Sequence, residues 1–422
     1  MIRRAATALE QRSGRVAAGL AALVLLAGAA YALHLGDVVR YGDEGDYLVI
    51  GGNLAAARTF GYDAVTPTAW RPPGYPFFIA AFRLLGLGVP AVRLGNFAAL
   101  ALSILVLHRL LAERRAALAG AIAGLLVVGY PVLFYAAGTL FPQTLAGFLL
   151  LLTVYLVGRD GDWRRDGPLA GLAYGLLVLT VPSFLMLLPV VALLPWVLGQ
   201  PARLRRAAAL VAVVACLVGA WSARNLVAFG RFIPISTNNG INLLQGNSEA
   251  TDTMLGGGVS ARDVDLGRYV EEAHRRYGDD EVAISDYYRR EALAWIGAHK
   301  AEAARLYLKK CLYYFSYRND LAVKAEQSPL RDLVMLATWG PMVLLLLARL
   351  LLLRRYPPTR LEAALLLLYL SNVLLSSVFY PRIRFRLPFD LLLIGILASF
   401  LARLVGERVA APGQPAPTRV AA

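Results

Sequence analysis

The sequence predicts an all-α integral membrane protein with about ten transmembrane helices, interfacial juxtamembrane helices and one larger, partly helical extracytoplasmic loop. Of its 422 residues 58% are apolar and only 17% charged, outside the range of soluble domains. The apolar residues fall in runs of roughly 18 to 22, about the length a helix needs to cross 30 Å of hydrocarbon. The arginines lie between these runs and not along one amphipathic face, so the net charge of +15 reads as a set of topology signals. No nucleic-acid partner is expected. Cys216 sits inside an apolar run and Cys311 far from it, which gives neither a disulfide framework nor a metal-ligand spacing.

The predicted spans are 16–34, 90–108, 116–136, 140–157, 168–182, 184–199, 207–224, 331–353, 361–380 and 387–404. Pro182 and Ser183 alone separate the fifth from the sixth. Residues 75–88 make an apolar stretch of only 14 residues that contains Arg83, a length suited to a helix lying in the interface.

Charge bias then sets the sides. With ten spans the cytoplasmic segments hold Arg3, Arg4, Arg12 and Arg15, then Arg109, Arg114 and Arg115, then Arg159, Arg164 and Arg165. Arg203, Arg205, Arg206, Arg354, Arg355, Arg360 and Arg408 complete the set, as the positive-inside rule requires. Counting 75–88 as a crossing would move the 109–115 and 159–165 clusters outside. The protein is thus expected to be multi-pass in the cell inner (plasma) membrane, both termini cytoplasmic, its active site on the extracytoplasmic face. The first run also resembles a signal peptide with an A-Y-A cleavage site, although an uncleaved span gives the same topology.

This divides the chain into an N-terminal transmembrane module (1–224) carrying the first outer loop (35–89), and an extracytoplasmic loop region (225–330). The C-terminal transmembrane helices (331–405) and a disordered cytoplasmic tail (406–422) follow. The 225–330 region opens with a Gly/Asn-rich stretch that reads as irregular loop and continues with one or two amphipathic helices. Asn239, Asn242 and Asn247 in that stretch are either turn residues or hydrogen bonders to an acceptor.

The first outer loop holds Asp43, Glu44 and Asp46 at the membrane edge. One reading is a helix start, with Asp43 as N-cap and Asp46 three residues on. The other is a carboxylate that takes a proton from an acceptor. Asp43, Glu44 and Tyr47 form a D-E-x-x-Y pattern, and Pro72, Pro73, Gly74, Tyr75 and Pro76 follow. This order resembles the first extracytoplasmic loop of polyprenol-dependent glycosyltransferases of the C-type membrane fold, in particular glycosyltransferase family 39. That family includes protein O-mannosyltransferases and the lipid A aminoarabinose transferase. The stretch after Val92, the segment from Arg224 to Asn247 and "YPRIRFRLPF" near the end are similar to further family elements in the same order, so the resemblance covers most of the chain. Two positions depart from it: Gln143 stands where many relatives carry an acid, and Thr180 to Pro182 lack a frequent arginine.

The resemblance implies inverting transfer of a sugar, hexosyl or pentosyl, from a polyprenyl-phosphate-linked donor to a glycan, lipid or protein acceptor. Asp43 would be the general base, with Glu44 or Asp46 orienting it. A leaving polyprenyl phosphate needs a cationic clamp, for which Arg382, Arg384 and Arg386 lead and Arg71 and Arg224 follow. The alternative for the Arg382–Arg386 group is interfacial snorkelling. Tyr47, Tyr75, Gln143, Asn239, Asn242 and Asn247 would serve the acceptor or sugar. The pattern names no metal ligands and does not decide whether a divalent metal assists. A lipid or glycan flippase would place ionisable residues within its spans, and these are almost free of charge. An O-antigen polymerase or ligase shares the large outer loop but not the early D-E-x-x-Y.

Overall fold

The computed structural model describes residues 9–114, 116–249, 251–253, 259–261, 263–318 and 328–409. Arg3, Arg4, Arg115 and residues 410–422 of the predicted tail lie outside the described residues. Seventeen α-helices, one 3-10 turn and one hairpin of two three-residue strands are the regular elements among the described residues. In order they are α1 (Ser13–Leu35), α2 (Gly42–Ala57), α3 (Gly74–Leu84), α4 (Val89–Ala112), α5 (Ala117–Val128), α6 (Pro131–Ala137) and α7 (Gln143–Gly158). Next come α8 (Trp163–Thr180), a 3-10 turn (Pro182–Leu187), α9 (Leu188–Val197), α10 (Arg203–Phe229) and α11 (Asn239–Gly246). After the hairpin β1 (Thr251–Thr253) and β2 (Val259–Ala261) follow α12 (Asp263–Tyr277), α13 (Glu281–Ala298) and α14 (Lys300–Tyr313). The chain ends with α15 (Pro329–Leu351), α16 (Arg360–Ser376) and α17 (Ile383–Val409).

The protein is an all-α, multi-pass integral membrane protein. Every predicted span has a helical counterpart, but only five of these helices are long and apolar enough to cross a membrane unaided, six if the bent pair α5–α6 is one span. That pair bends by 65°, because Pro131 at the start of α6 has no N–H to continue the ladder of α5. The 168–199 stretch breaks at Val181, in extended conformation before Pro182. The remaining spans are shorter or begin with polar caps, such as Asp162, which accepts the Arg164 N–H at 3.0 Å, and Thr359, which accepts that of Glu362 at 3.2 Å.

Contacts at the ends of the described helices nevertheless sort them into two groups. At one end Arg114 and Gln200 bond the Gly158 carbonyl, Arg206 bonds that of Gly161, and Arg349 and Arg403 meet Glu362. This end collects the arginine clusters read as cytoplasmic. At the other end Arg93, fully buried, donates to the carbonyls of Gly36, Val38 and Gly138 and so ties α1, α4 and α6 together. The 35–89 and 225–330 regions both sit there. Close approach inside the bundle relies on glycine: a Cβ on Gly171 of α8 would fall 2.7 Å from the Leu210 carbonyl oxygen of α10.

Three expectations are corrected. The Gly/Asn-rich stretch is not wholly irregular, since α11 forms within it and three further helices follow. The spans are less free of charge than the sequence suggested: Arg386 pairs with Asp390 inside α17 at 3.1 Å, and Arg349 with Glu362, all four side chains no more than 1% exposed. Each is an internally neutralised pair, the form in which buried charge is tolerated. Finally, α17 continues to Val409, past the expected end of the helices at 405.

Candidate active site

The site is built where the first outer loop folds onto the start of α17. Helix α2 begins with Tyr41 in extended conformation as its N-cap, not Asp43, and the capping carboxylate is Glu44 in the third helical position. Glu44 is fully buried and accepts backbone N–H groups from Arg40 at 2.7 Å, Tyr41 at 3.2 Å and, across the fold, Leu140 at 2.8 Å. It is therefore a structural peg joining the loop to the turn before α7. Its neighbours Asp43 and Asp46, one helical turn apart, are left to face a common partner.

That partner is Arg71. Its Nη2 donates to Asp43 Oδ1 at 2.6 Å, and its Nε and Nη2 both reach Asp46 Oδ2, at 2.9 and 2.6 Å. Tyr47 lies under the guanidinium, 5.5 Å from ring centre to Cζ. The loop that carries Arg71 is fastened on several sides. Arg224 donates to the carbonyls of Thr68 at 3.0 Å and Phe60 at 3.2 Å, and Asn53 to that of Gly61 at 3.0 Å. Glu281 of α13 accepts from the Thr68 hydroxyl at 2.7 Å and the Ala69 N–H at 2.5 Å. Burial raises the Glu281 carboxyl above its ordinary value, opposed by these bonds and by the charge of Arg224.

From the far end of the chain, Arg384 donates through Nη2 to Asp43 Oδ2 at 2.8 Å, while its guanidinium lies 4.7 Å over the Phe141 ring. Asp43 is thus clamped on both oxygens. Burial would push its carboxyl up, but the charges of Arg384 and Arg71 outweigh it and hold the group below its ordinary value. Arg382 rests 4.6 Å over Tyr380 and has no carboxylate partner among the described residues. Both Arg382 and Arg384 have a buried Nε without a hydrogen-bond partner.

The other expected site residues have different work. Arg386 is buried and fully committed: it pairs with Asp390, donates to the carbonyls of Tyr314 at 2.7 Å and Ser316 at 2.9 Å, and stacks 3.5 Å over Trp339. Arg224 is likewise engaged, on the carbonyls of Thr68 and Phe60. Tyr75 is completely buried, its hydroxyl accepting from Asn96 at 2.9 Å and its ring packed edge-on against Tyr47. Both tyrosines are buried beneath the site. Asn247 is buried between the carbonyls of Leu243 at 2.9 Å and Val378 at 2.8 Å, so it braces the fold. Asn239 is exposed beside Ser285, its Oδ1 3.3 Å from Ser285 Oγ, and Asn242 is half-buried on α11. Gln143 is buried, and its Oε1 has no partner. Among the described residues no group of three or more His, Cys, Asp or Glu side chains is arranged to hold a metal.

Sequence reasoning missed Glu281, Lys310, Phe141 and Asp390. Lys310 is fully buried, its Nζ donating to the Gly246 carbonyl at 2.9 Å and Asn247 Oδ1 at 3.1 Å, and burial lowers its pKa to about 8. Asp390 carried a readable signal, an acid four residues after Arg386 within an apolar run; Glu281 and Lys310 carried none, because their partners are tertiary.

An open cavity of about 730 Å³ lies away from Asp43. It lies between the 62–70 loop and the start of α13, and Tyr62 and Trp70 in its wall place it next to Arg71. The Tyr62 hydroxyl feels the charges of both Asp46 and Arg71.

No family model matches this chain, and no curated protein does. Among solved structures it is similar to ArnT from Cupriavidus metallidurans bound to undecaprenyl phosphate, at 16% identity over 91% of this chain and 77% of that one, TM-score 0.47. The apo state of the same ArnT gives 17% identity over 89% and 77%, TM-score 0.42. It is also similar to the archaeal oligosaccharyltransferase AglB from Archaeoglobus fulgidus in complex with an inhibitory peptide and a dolichol-phosphate, at 14% identity over 94% of this chain, TM-score 0.47. The chain spans about half of AglB, 52% of its length.

Proposed function

We propose that the protein is a membrane glycosyltransferase that moves a sugar from a polyprenyl-phosphate carrier to an acceptor hydroxyl or amine, with inversion, at the extracytoplasmic face. The observation that carries this reading is the Asp43 carboxylate held between Arg71 and Arg384, at 2.6 and 2.8 Å, within the motifs whose order resembles family 39. Arg384 and Arg382 flank the N-terminus of α17, where helix N–H groups and two cations together suit a phosphate. Arg384 therefore has two anions to choose between. When the donor phosphate takes it, Asp43 is freed on one oxygen to accept a proton.

In the reaction the acceptor oxygen or nitrogen attacks the anomeric carbon and its proton passes to Asp43. The bond from that carbon to the phosphate oxygen breaks, and polyprenyl phosphate leaves with the electron pair, stabilised by Arg384 and Arg382. Arg71, itself held by Asp46, keeps Asp43 in place and anionic. Tyr47 and Phe141 form the aromatic floor beneath the two guanidiniums.

The test is transfer from an undecaprenyl-phosphate-linked sugar, with Asp43→Asn as the diagnostic variant. Asparagine keeps the shape and removes the base, so turnover should fall about a hundredfold or more while the protein stays folded. Undiminished turnover would refute the role of Asp43.

A further inference from the structure

We infer that the 730 Å³ cavity between the first outer loop and α13 is the acceptor site, and that it takes a neutral or amino-bearing saccharide and rejects a phosphorylated one. This rests on the proposed transferase reading and supplies the acceptor class it lacks. The cavity falls within the size range of pockets that bury most of a small ligand. Besides the buried Tyr288, its wall offers the aromatic side chains of Tyr62, Trp70 and Phe229, none of them fully buried. Flat aromatic faces of this kind suit the C–H face of a sugar ring.

The electrostatics of the cavity oppose those of the whole chain. The protein carries a net charge of +15, yet Asp63, Asp279, Asp280 and Glu281 line this space against Arg231 and the imidazole of His274. Asp280 is paired with Arg231 at 3.2 Å, and Glu281 is spent on the 68–69 backbone. Asp63 Oδ1 accepts the Val65 and Thr66 N–H groups at 2.8 and 2.5 Å, which leaves its Oδ2 and the exposed Asp279 to sugar hydroxyls or an ammonium, and both carboxylates repel a phosphate or carboxylate on the acceptor. The floor is also rigid: besides the Glu281 bonds, the Thr237 N–H donates to the Ala69 carbonyl at 2.9 Å. Trp70 precedes Arg71 in the chain and Tyr62 lies close to the Asp46–Arg71 pair, so the cavity adjoins the residues that hold Asp43.

Saturation-transfer NMR on the full chain in detergent, with cellobiose, its amino analogue and cellobiose phosphate as probes, tests this. The neutral and amino sugars should bind, and the phosphorylated one about tenfold more weakly. Trp70→Ala should weaken binding about fivefold to tenfold, and Trp70→Phe should restore most of it. Should Trp70→Ala fail to fold, Tyr62→Ala, at a position 42% exposed, must show the same loss. Equal or tighter binding of the phosphorylated sugar, indifference to both aromatic substitutions, or no sugar binding at all would overturn the inference. Binding of undecaprenyl phosphate by the same wild-type preparation is measured separately. Its absence alongside intact sugar binding would sink the donor reading and leave the cavity assignment standing.

Discussion

Arg384 and Arg386 stand two residues apart in one R-x-R-x-R segment, and the structure gives them opposite sensitivities. Arg386 is 1% exposed, ion-paired at 3.1 Å with Asp390, itself 0% exposed, bonded to two backbone carbonyls and stacked on Trp339. Arg386→Gln strands a buried carboxylate, which costs about 3–5 kcal/mol when one partner of a buried pair is removed. Arg384 is 25% exposed and makes one ion pair, so Arg384→Gln should cost about 1 kcal/mol or less. Thermal unfolding of both variants in the same detergent, followed by tryptophan fluorescence, ranks them directly. The double variant Arg386→Gln/Asp390→Asn should recover part of the loss, because no charge is then left unpaired. Equal midpoints for the two single variants would refute the assignment of Arg386 to the fold and Arg384 to the site.

Glu44→Gln should destabilise the protein by about 2–3 kcal/mol, because the buried carboxylate accepts three backbone N–H groups and an amide offers one oxygen; an unchanged unfolding midpoint would contradict its role as a peg. Asp43 is held below its ordinary carboxyl value, so the stability its ion pairs contribute is present above about pH 4 and is lost as pH falls through the lower folded value. The acid limb of kcat/KM should accordingly lie below pH 4 and move upward in Arg384→Gln, and an acid limb near neutrality would point to another base. For topology, on a background lacking Cys216 and Cys311, a cysteine at the exposed Arg275 should react with an impermeant thiol reagent from outside, whereas one at Asp162 should not. The reverse labelling would put Asp43 on the cytoplasmic side.

Much of the bundle was legible because length, apolarity and arginine placement each leave a local mark. The shortness of α7 and α9 was less so, since their ends are set by Pro182, by Gly158 and by the arginines that cap them, which are tertiary facts. In the site, Asp43, Asp46, Arg71 and Arg384 were each singled out in the sequence, the acids as catalytic and the arginines as phosphate-binding, but their pairing with one another was not. What the sequence could not separate was which carboxylate faces inward. Asp43, Glu44 and Asp46 have similar chemistry, and only the extended Tyr41 at the helix start turns Glu44 into the core. The same applies to the three arginines, whose spacing on α17 sends Arg386 toward Asp390 and Trp339 and leaves Arg384 over Phe141.

The central claim, that the start of α17 holds a polyprenyl phosphate beside Asp43, is tested most directly by saturable binding of undecaprenyl phosphate to the purified protein. Wild type and Arg355→Gln, a substitution at the opposite end of the bundle, should bind alike. Arg384→Gln should bind about tenfold more weakly through loss of a charge-assisted contact. Equal binding by all three, or no saturable binding by the wild type, would contradict the account.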